Sequence, residues 1–232
     1  MTRGSWFRTA VLLLGAATTA CGVAAQDASS SARMHLAPRD EAKDISGFAD
    51  FVATFRRAVQ DKDARALLSM TSERVSFGQR SRGRAAFAKE FGLEDGASFF
   101  WRRARAALDG GFAADCRKEV CLVLAPWWPH RISYSGLSGQ AEHAIARRAD
   151  VPLFSQATTG ARVLTRLSFD LVEKLKPGSL DGLEFVHVQA PDGQVGFVRA
   201  VDLYDLTFGS EFIFQRDANG RWFLADYNWG SP

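Results

Sequence analysis

The stretch DGLEFVHVQAPDGQVGFV, residues 181–198, has the pattern of two β-strands joined by a tight turn. Residues 183–190 alternate and are rich in aromatic and β-branched side chains, and residues 194–201 resume the alternation after the turn. Between them, Pro191, Asp192 and Gly193 supply a fixed φ, a side chain that caps its own turn and a residue that tolerates positive φ. Three more strand-like runs precede it, at residues 151–154, 162–167 and 171–175. Five short strands so close together predict a small β-barrel.

This region, about residues 142–204, resembles a bacterial SH3-like (SH3b) domain. In that family a Val-x-Leu strand, a Val-Leu-Thr-Arg-Leu-like run, an aromatic-x-x-Val strand, a Gly-containing turn and Gly-aromatic-Val follow in order. The corresponding segments here are residues 151–153, 163–167, 185–188, 192–193 and 196–198. The sequence departs from the family at Phe185, where the family usually carries Trp, so an indole N–H donor is lost.

The SH3b resemblance implies extracellular recognition, often of cell-wall peptidoglycan or peptide. Loop and strand positions that would line a groove in such a barrel are Phe169, Asp170, Glu173, Phe185, His187 and Gln194. For Phe169 and Phe185 the alternative is a core position, since large aromatic side chains are mostly buried. For His187, which alternates with two valines, the alternative is a solvated surface residue.

The preceding region, residues 44–138, begins with the strongest helical pattern in the chain. Phe48, Phe51, Val52, Phe55 and Val59 share one helical face. This helix, a short second helix and a strand at residues 75–77 resemble the opening of a nuclear transport factor 2-like fold, in which helices pack on a curved sheet and leave a pocket. Trp101 and Trp127 are the candidate ligand-binding residues of such a pocket, with plain core packing as the alternative.

A hairpin is predicted at residues 210–230, where Asn219-Gly220 separates two hydrophobic strands. Two such strands are not stable alone and need a larger sheet, so we expect them to complete the sheet of residues 44–138. The predicted fold is therefore α+β, with a small SH3-like β-barrel inserted in, or following, a helix-on-curved-sheet domain. The predicted boundaries are 44–138 plus 205–232 for the discontinuous α+β domain and 142–204 for the barrel.

The N-terminal 25 residues predict export. Arg3 and Arg8 precede an apolar run at residues 9–20, which is too short to span a membrane and is typical of a signal peptide. Cleavage before Cys21 would give a lipid-anchored protein, whereas cleavage after Ala25 would give a soluble one, and both remain open. Ser-rich residues 26–43 read as a flexible linker. We expect an extracytoplasmic protein, periplasmic or lipid-anchored in the envelope.

The chain has three cysteines, and Cys21 lies at the predicted cleavage region, so Cys116 and Cys121 are left as a pair. In an oxidising compartment we expect them to form one disulfide, with two buried thiols as the alternative. Such a short loop gives a small stabilisation, on the order of 2 kcal/mol. A structural zinc site would need four ligands, and no Cys-His cluster accompanies the pair. We therefore expect no metal.

Charge and motifs narrow the function classes. The formal net charge is +3 and includes Arg3 and Arg8 of the predicted signal segment, so a nucleic-acid binder with a basic stripe is not indicated. No nucleophile triad context, phosphate-binding loop or dinucleotide fingerprint occurs, and no cofactor is expected. The leading hypothesis is a non-enzymatic envelope protein that binds cell-wall peptidoglycan or an envelope protein. The alternatives are a small-ligand-binding or weakly catalytic pocket in the α+β domain, and a structural lipoprotein.

Overall fold

The computed structural model describes residues 36–78, 81–117, 120–132 and 142–230, and within these ranges the chain is a mixed α+β fold. Its helices are α1 (Phe48–Asp61), α2 (Ala64–Ser69), α3 (Arg84–Glu90), α4 (Phe99–Asp109) and α5 (Trp128–Arg131). Its first strands are β1 (Thr71–Phe77), β2 (Ser81–Arg82), β3 (Ala113–Arg117), β4 (Val120–Ala125), β5 (Glu142–Ala146), β6 (Val151–Phe154) and β7 (Val163–Leu167). The remaining strands are β8 (Leu171–Lys174), β9 (Phe185–Gln189), β10 (Val195–Arg199), β11 (Leu203–Asp205), β12 (Ser210–Arg216) and β13 (Trp222–Trp229).

The first sheet has the strand order β2-β1-β13-β12-β4-β3. Its two central strands come from the C-terminal hairpin: β13 runs parallel to β1, and β12 runs antiparallel to β4. Register shifts interrupt the β1–β13 and β12–β13 ladders, and such irregularities bend a sheet. Helices α1 and α4 pack on it because their apolar faces recur at helical spacing.

The starts and ends of α1 and α2 follow from local chemistry. Lys62 adopts a left-handed conformation (φ 56°) that ends α1, and its N–H bonds the carbonyl of Ala58. Asp63 then caps α2, because its carboxylate accepts the N–H of Ala66 at 2.9 Å. Lys62 and Asp63 therefore separate α1 from α2.

The second sheet, with strand order β11-β5-β8-β9-β10-β6-β7, is open in the described residues rather than the closed barrel that the sequence predicts. The difference arises at β5, which contains His143. Ala144 and Ala146 face the core of this sheet, while Ile145 faces the first sheet. Because β5 is buried on both faces, it lies between β8 and β11 and pairs with both. Strand β11 is then one edge of the sheet, and β7 is the other.

The two sheets meet at a mixed aromatic junction. Trp128 of α5 packs beside Tyr204 of β11, with ring centroids 5.3 Å apart. The indole N–H of Trp128 donates to the carbonyl of Leu36 at 2.7 Å. Among the described residues, no helix is long and apolar enough to cross a membrane.

Candidate functional site

A row of rings crosses the face of the second sheet that points away from its own core. Phe197 of β10 lies opposite His187 of β9 and opposite Phe154 of β6. The rings of His187 and Phe197 stack with centroids 4.6 Å apart and an interplanar angle of 13°. Phe185 meets Phe154 edge to face at 6.1 Å. We call Phe154, Phe185, His187 and Phe197 the aromatic row.

Strand alternation explains why these rings share a face. Val186, Val188 and Val198 point into the core of the second sheet, so the residues between them must point outward. The row is extended by two exposed aliphatic side chains: Val163 of β7 lies opposite Phe154, and the N–H of Leu175 bonds the carbonyl of His187. The result is an apolar strip that runs across five neighbouring segments of chain.

Basic side chains border this strip. Arg199 is exposed and lies opposite Phe185 in the ladder. Arg166 lies opposite Pro152 and pairs with Asp150 at 3.0 Å. The face therefore offers ring surfaces and aliphatic carbons in the middle, with guanidinium groups at its margin.

The structure separates the sequence-predicted ligand residues into different places. Phe185 and His187 belong to the aromatic row. Phe169 and Asp170 lie at the turn before β8, whereas Leu175, which extends the row, follows its end. Asp170 is buried and its carboxylate accepts the N–H of Ser168 at 2.7 Å, which suits a role in shaping that turn.

Trp101 and Trp127 do not share a pocket. Trp101 is buried in the core of the first sheet, where its N–H donates to the carbonyl of Asp95 at 3.1 Å. Trp127 belongs to the junction between the sheets and donates to Glu41 at 2.8 Å. Aromatic side chains occupy the interior expected to hold a pocket: Phe77, Phe87, Phe91, Phe100, Trp101, Phe212 and Tyr227.

Glu41 organises the surface around Trp127. Its carboxylate accepts from the guanidinium of Arg131 at 2.6 Å and from the N–H of Ala114 at 3.0 Å. The hydrogen bond from Arg131 is the main reason that the pKa of Glu41 falls to about 2, although burial opposes it. This cluster joins the segment before α1 to β3 and α5.

A cleft of about 100 Å³ lies between α4 and the second sheet. Asp181 at its wall binds Arg102 at 2.7 Å and also binds Arg103. Burial alone would raise the pKa of Asp181, but hydrogen bonds and charge from Arg103, with Arg102, lower it. Arg147 also lines the cleft and pairs with Asp109 at 3.0 Å. Nη1 of Arg103 and Nε of Arg147 are buried without a hydrogen-bond acceptor in the described structure.

His130 and Glu211 approach each other at 3.9 Å between α5 and β12. Burial lowers the pKa of His130, with help from the charge of Arg131, and burial raises the pKa of Glu211. Both shifts disfavour the charged forms, so the pair does not behave as a strong ion pair. No group of three or more His, Cys, Asp or Glu side chains in the described ranges is arranged to hold a metal ion.

The predicted cysteine pair is joined. Cys116 and Cys121 lie opposite each other on β3 and β4 and form a disulfide. Cys21, the predicted lipidation site, lies outside the described residues. Phe154 and Phe197 were missed as site residues, although the alternation of residues 195–199 could have placed Phe197 beside His187.

No protein-family model matches the chain, and no curated protein matches it. Among solved structures, it is similar to "a putative ketosteroid isomerase" from Shewanella frigidimarina NCIMB 400, with 9% identity over 78% of this chain and 92% of that chain and a TM-score of 0.30. An NTF2-like protein of unknown function from Pseudomonas putida KT2440 aligns at 13% identity over 81% and 85%, with a TM-score of 0.27. A conserved protein from Planctomyces limnophilus DSM 3776 aligns at 10% identity over 78% and 90%, with a TM-score of 0.27. Such low identities and TM-scores assign neither a family nor an activity.

Proposed function

We propose that this chain is an exported, non-catalytic envelope protein that binds a cell-wall polymer through the aromatic row of an SH3-like second sheet. The observation that carries the proposal is the stacked pair of His187 and Phe197 on the outer sheet face. Large aromatic side chains on a sheet are normally used to fill a core. Here three phenylalanines and His187 meet on the face that the core of this sheet does not use, and the accessible ring surface comes from Phe185, His187 and Phe197 because Phe154 is only 6% exposed.

The dimensions of the strip favour a polymer over a compact ligand. Neighbouring strands lie about 4.8 Å apart, so a row across five segments is roughly 19 Å long. Flat rings offer their faces to the C–H groups of sugar rings, and the border arginines suit the carboxylates of wall peptides. Peptidoglycan combines both chemistries in one extended chain, which is why we name it as the occupant.

The test is cosedimentation of the purified exported protein with insoluble peptidoglycan from which bound proteins have been stripped. The H187A/F197A double variant removes the stacked pair, and the matched control is F99A, which removes an exposed aromatic side chain of α4. If each ring contributes about 1 kcal/mol, the double variant weakens binding roughly thirtyfold. The control should bind like the original protein.

Two results would reject the proposal. One is the absence of cosedimentation by the unaltered protein. The other is equal binding by the original protein and the double variant, because binding would then use another surface. Binding only to walls that retain their proteins would point to a protein partner instead.

A second candidate function is the binding of a small organic anion in the cleft between α4 and the second sheet. It is favoured by the two buried guanidinium N–H groups of Arg103 and Arg147 that lack an acceptor. Reaching them would require the guanidinium groups to rotate toward the cleft. Thermal unfolding with and without butyrate tests this idea: a rise in Tm that R147Q abolishes supports it, and no rise rejects it.

A further inference from the structure

Three ionisable side chains meet on the inner face of the second sheet, at one end of its core. Glu142 of β5 lies directly opposite Lys174 of β8. On the other side of β5, Asp205 of β11 lies opposite Ala144. Because Glu142 and Ala144 are two residues apart on one strand, both project to the same face. Lys174, Glu142 and Asp205 therefore converge from three adjacent strands.

Their contacts are close, and Lys174 and Asp205 are shielded from water, whereas the Glu142 side chain is 21% exposed. Nζ of Lys174 lies 2.7 Å from Oε2 of Glu142 and 2.9 Å from Oδ2 of Asp205. The Lys174 side chain has 0% exposure and that of Asp205 has 6%. The Phe208 ring covers the cluster, with Nζ 5.1 Å from its centroid. A lysine is almost never buried to this extent unless it is paired, and Lys174 is paired with both carboxylates and also donates to the carbonyl of Gly178 at 2.8 Å.

The other oxygen of Asp205 is held separately. Oδ1 accepts the backbone N–H of Thr207 at 2.9 Å and that of Phe208 at 3.0 Å. Two N–H donors on one carboxyl oxygen are the arrangement that stabilises negative charge developing on that oxygen during attack at a carbonyl carbon. One oxygen of Asp205 thus faces an amine while the other lies in a ready-made oxyanion hole.

We propose that Lys174 and Asp205 become joined by an intramolecular isopeptide bond, with Glu142 as the proton-transfer residue. Transfer of one proton from Nζ to Oδ2 converts the ion pair into a neutral amine, which can act as a nucleophile, and a neutral carboxylic acid, while Glu142 stays a carboxylate. The Nζ lone pair then attacks Cγ of Asp205, and the negative charge forms on Oδ1. Glu142 takes one proton from Nζ and delivers it to the Oδ2 hydroxyl. The Cγ–Oδ2 bond breaks, one water leaves, and Glu142 returns to its carboxylate form.

The bond would fasten the edge of the second sheet. Lys174 and Asp205 are 31 residues apart in sequence, and the segment between them contains β9 and β10 of the aromatic row. A cross-link of this kind resists unfolding by constraining the unfolded chain, as a disulfide does. Unlike a disulfide, it does not respond to reductant. The inference does not depend on what the aromatic row binds.

Peptide mapping of the purified protein by mass spectrometry tests it after reduction and trypsin digestion. The bond blocks cleavage after Lys174, so residues 167–199 should appear joined to residues 200–216. The branched species should be lighter than the two peptides together by one water, about 18 Da. Fragmentation places the link at Lys174 and Asp205.

Two variants separate this bond from other water losses. K174R keeps the positive charge but removes the amine, so the branched species must vanish. E142Q keeps a hydrogen-bonding side chain but removes the proton carrier, so the joined fraction should fall at least tenfold in freshly purified protein. Dehydration at an Asp-Gly sequence such as Asp192-Gly193 also removes one water, but it leaves the two peptides separate. Cleavage after Lys174 with unlinked peptides in the original protein would overturn the proposal, as would a branched species that persists in K174R.

Discussion

The hydrogen bond between Tyr227 and Ser210 is a buried polar contact in the core of the first sheet, and its contribution to stability can be measured. The Tyr227 hydroxyl and Oγ of Ser210 are 2.7 Å apart, and both residues are buried. Burial raises the pKa of Tyr227, so the phenol stays neutral. The pair joins β12 to β13 where the aromatic side chains of the core surround it.

Removing one partner should cost more than removing both. Y227F leaves the serine hydroxyl without this partner, and S210A leaves the phenol without it, so each should lower the free energy of unfolding by about 1–3 kcal/mol. The double variant loses a bonded pair together and leaves neither group stranded. Its cost should therefore fall short of the sum by about 1 kcal/mol.

Urea unfolding followed by tryptophan fluorescence, with the disulfide intact, measures these values. S46A alters an exposed serine and should stay within about 0.5 kcal/mol of the original protein. If the two single costs add within about 0.5 kcal/mol, the two hydroxyls are not coupled and the reasoning fails.

Three further outcomes are expected. F87A deletes a ring with 0% exposure that touches four other aromatic rings, and it should lower the free energy of unfolding in urea by about 3–5 kcal/mol. F99A deletes a ring with 41% exposure and should lower it by less than about 1 kcal/mol. The pKa of Glu41 is lowered to about 2, so the ionised carboxylate stabilises the folded state above about pH 4.5, and this stabilisation is lost as the pH falls toward 2. In E41Q, the free energy of unfolding should therefore change less between pH 4.5 and pH 2, by about 1 kcal/mol after solvent screening. D181N should cost about 1 kcal/mol or less, and its cost should shrink at 1 M salt because the ion pairs with Arg102 and Arg103 are partly exposed; an undiminished cost would contradict this.

Periodicity was enough to predict the elements with strong local signals. The helix at Phe48–Asp61 and the hairpin around Asn219-Gly220 both stand where spacing and turn chemistry indicated. The disulfide was predicted from the spacing of the two cysteines together with a predicted oxidising compartment, and the pair is joined in the structure. These features depend on residues close together in sequence, so one sequence is sufficient to recognise them.

Features that depend on long-range pairing were not accessible in the same way. His143 lies in a strand with a weak local pattern, because two alanines at Ala144 and Ala146 do not distinguish a strand from a helix. Only pairing with β8 and β11 makes it a strand. For the same reason, the meeting of Lys174 with Glu142 and Asp205 has no signature in the order of residues.

The candidate site shows the same division. Alternation places Phe185 and His187 on one strand face, and the sequence therefore indicated both. Their neighbours Phe154 and Phe197 come into contact through cross-strand register, which depends on the whole sheet. Trp101 and Trp127 looked equivalent as large aromatic residues, but one fills the first core and the other lies in the junction between the sheets.

The junction between the sheets decides how the function of the second sheet can be studied. The described residues belong to one compact unit, and the junction buries apolar side chains from both sheets, including Trp128, Ile145 and Tyr204. Deleting residues 142–204 would remove Tyr204, the ring partner of Trp128, and would expose Trp128. The truncated chain would then carry a new apolar surface that binds nonspecifically. A loss of peptidoglycan binding by such a truncation could not be distinguished from misfolding. Substitutions at the outward-facing rings of the aromatic row leave this junction unaltered, and they are therefore the changes that can assign binding to that surface.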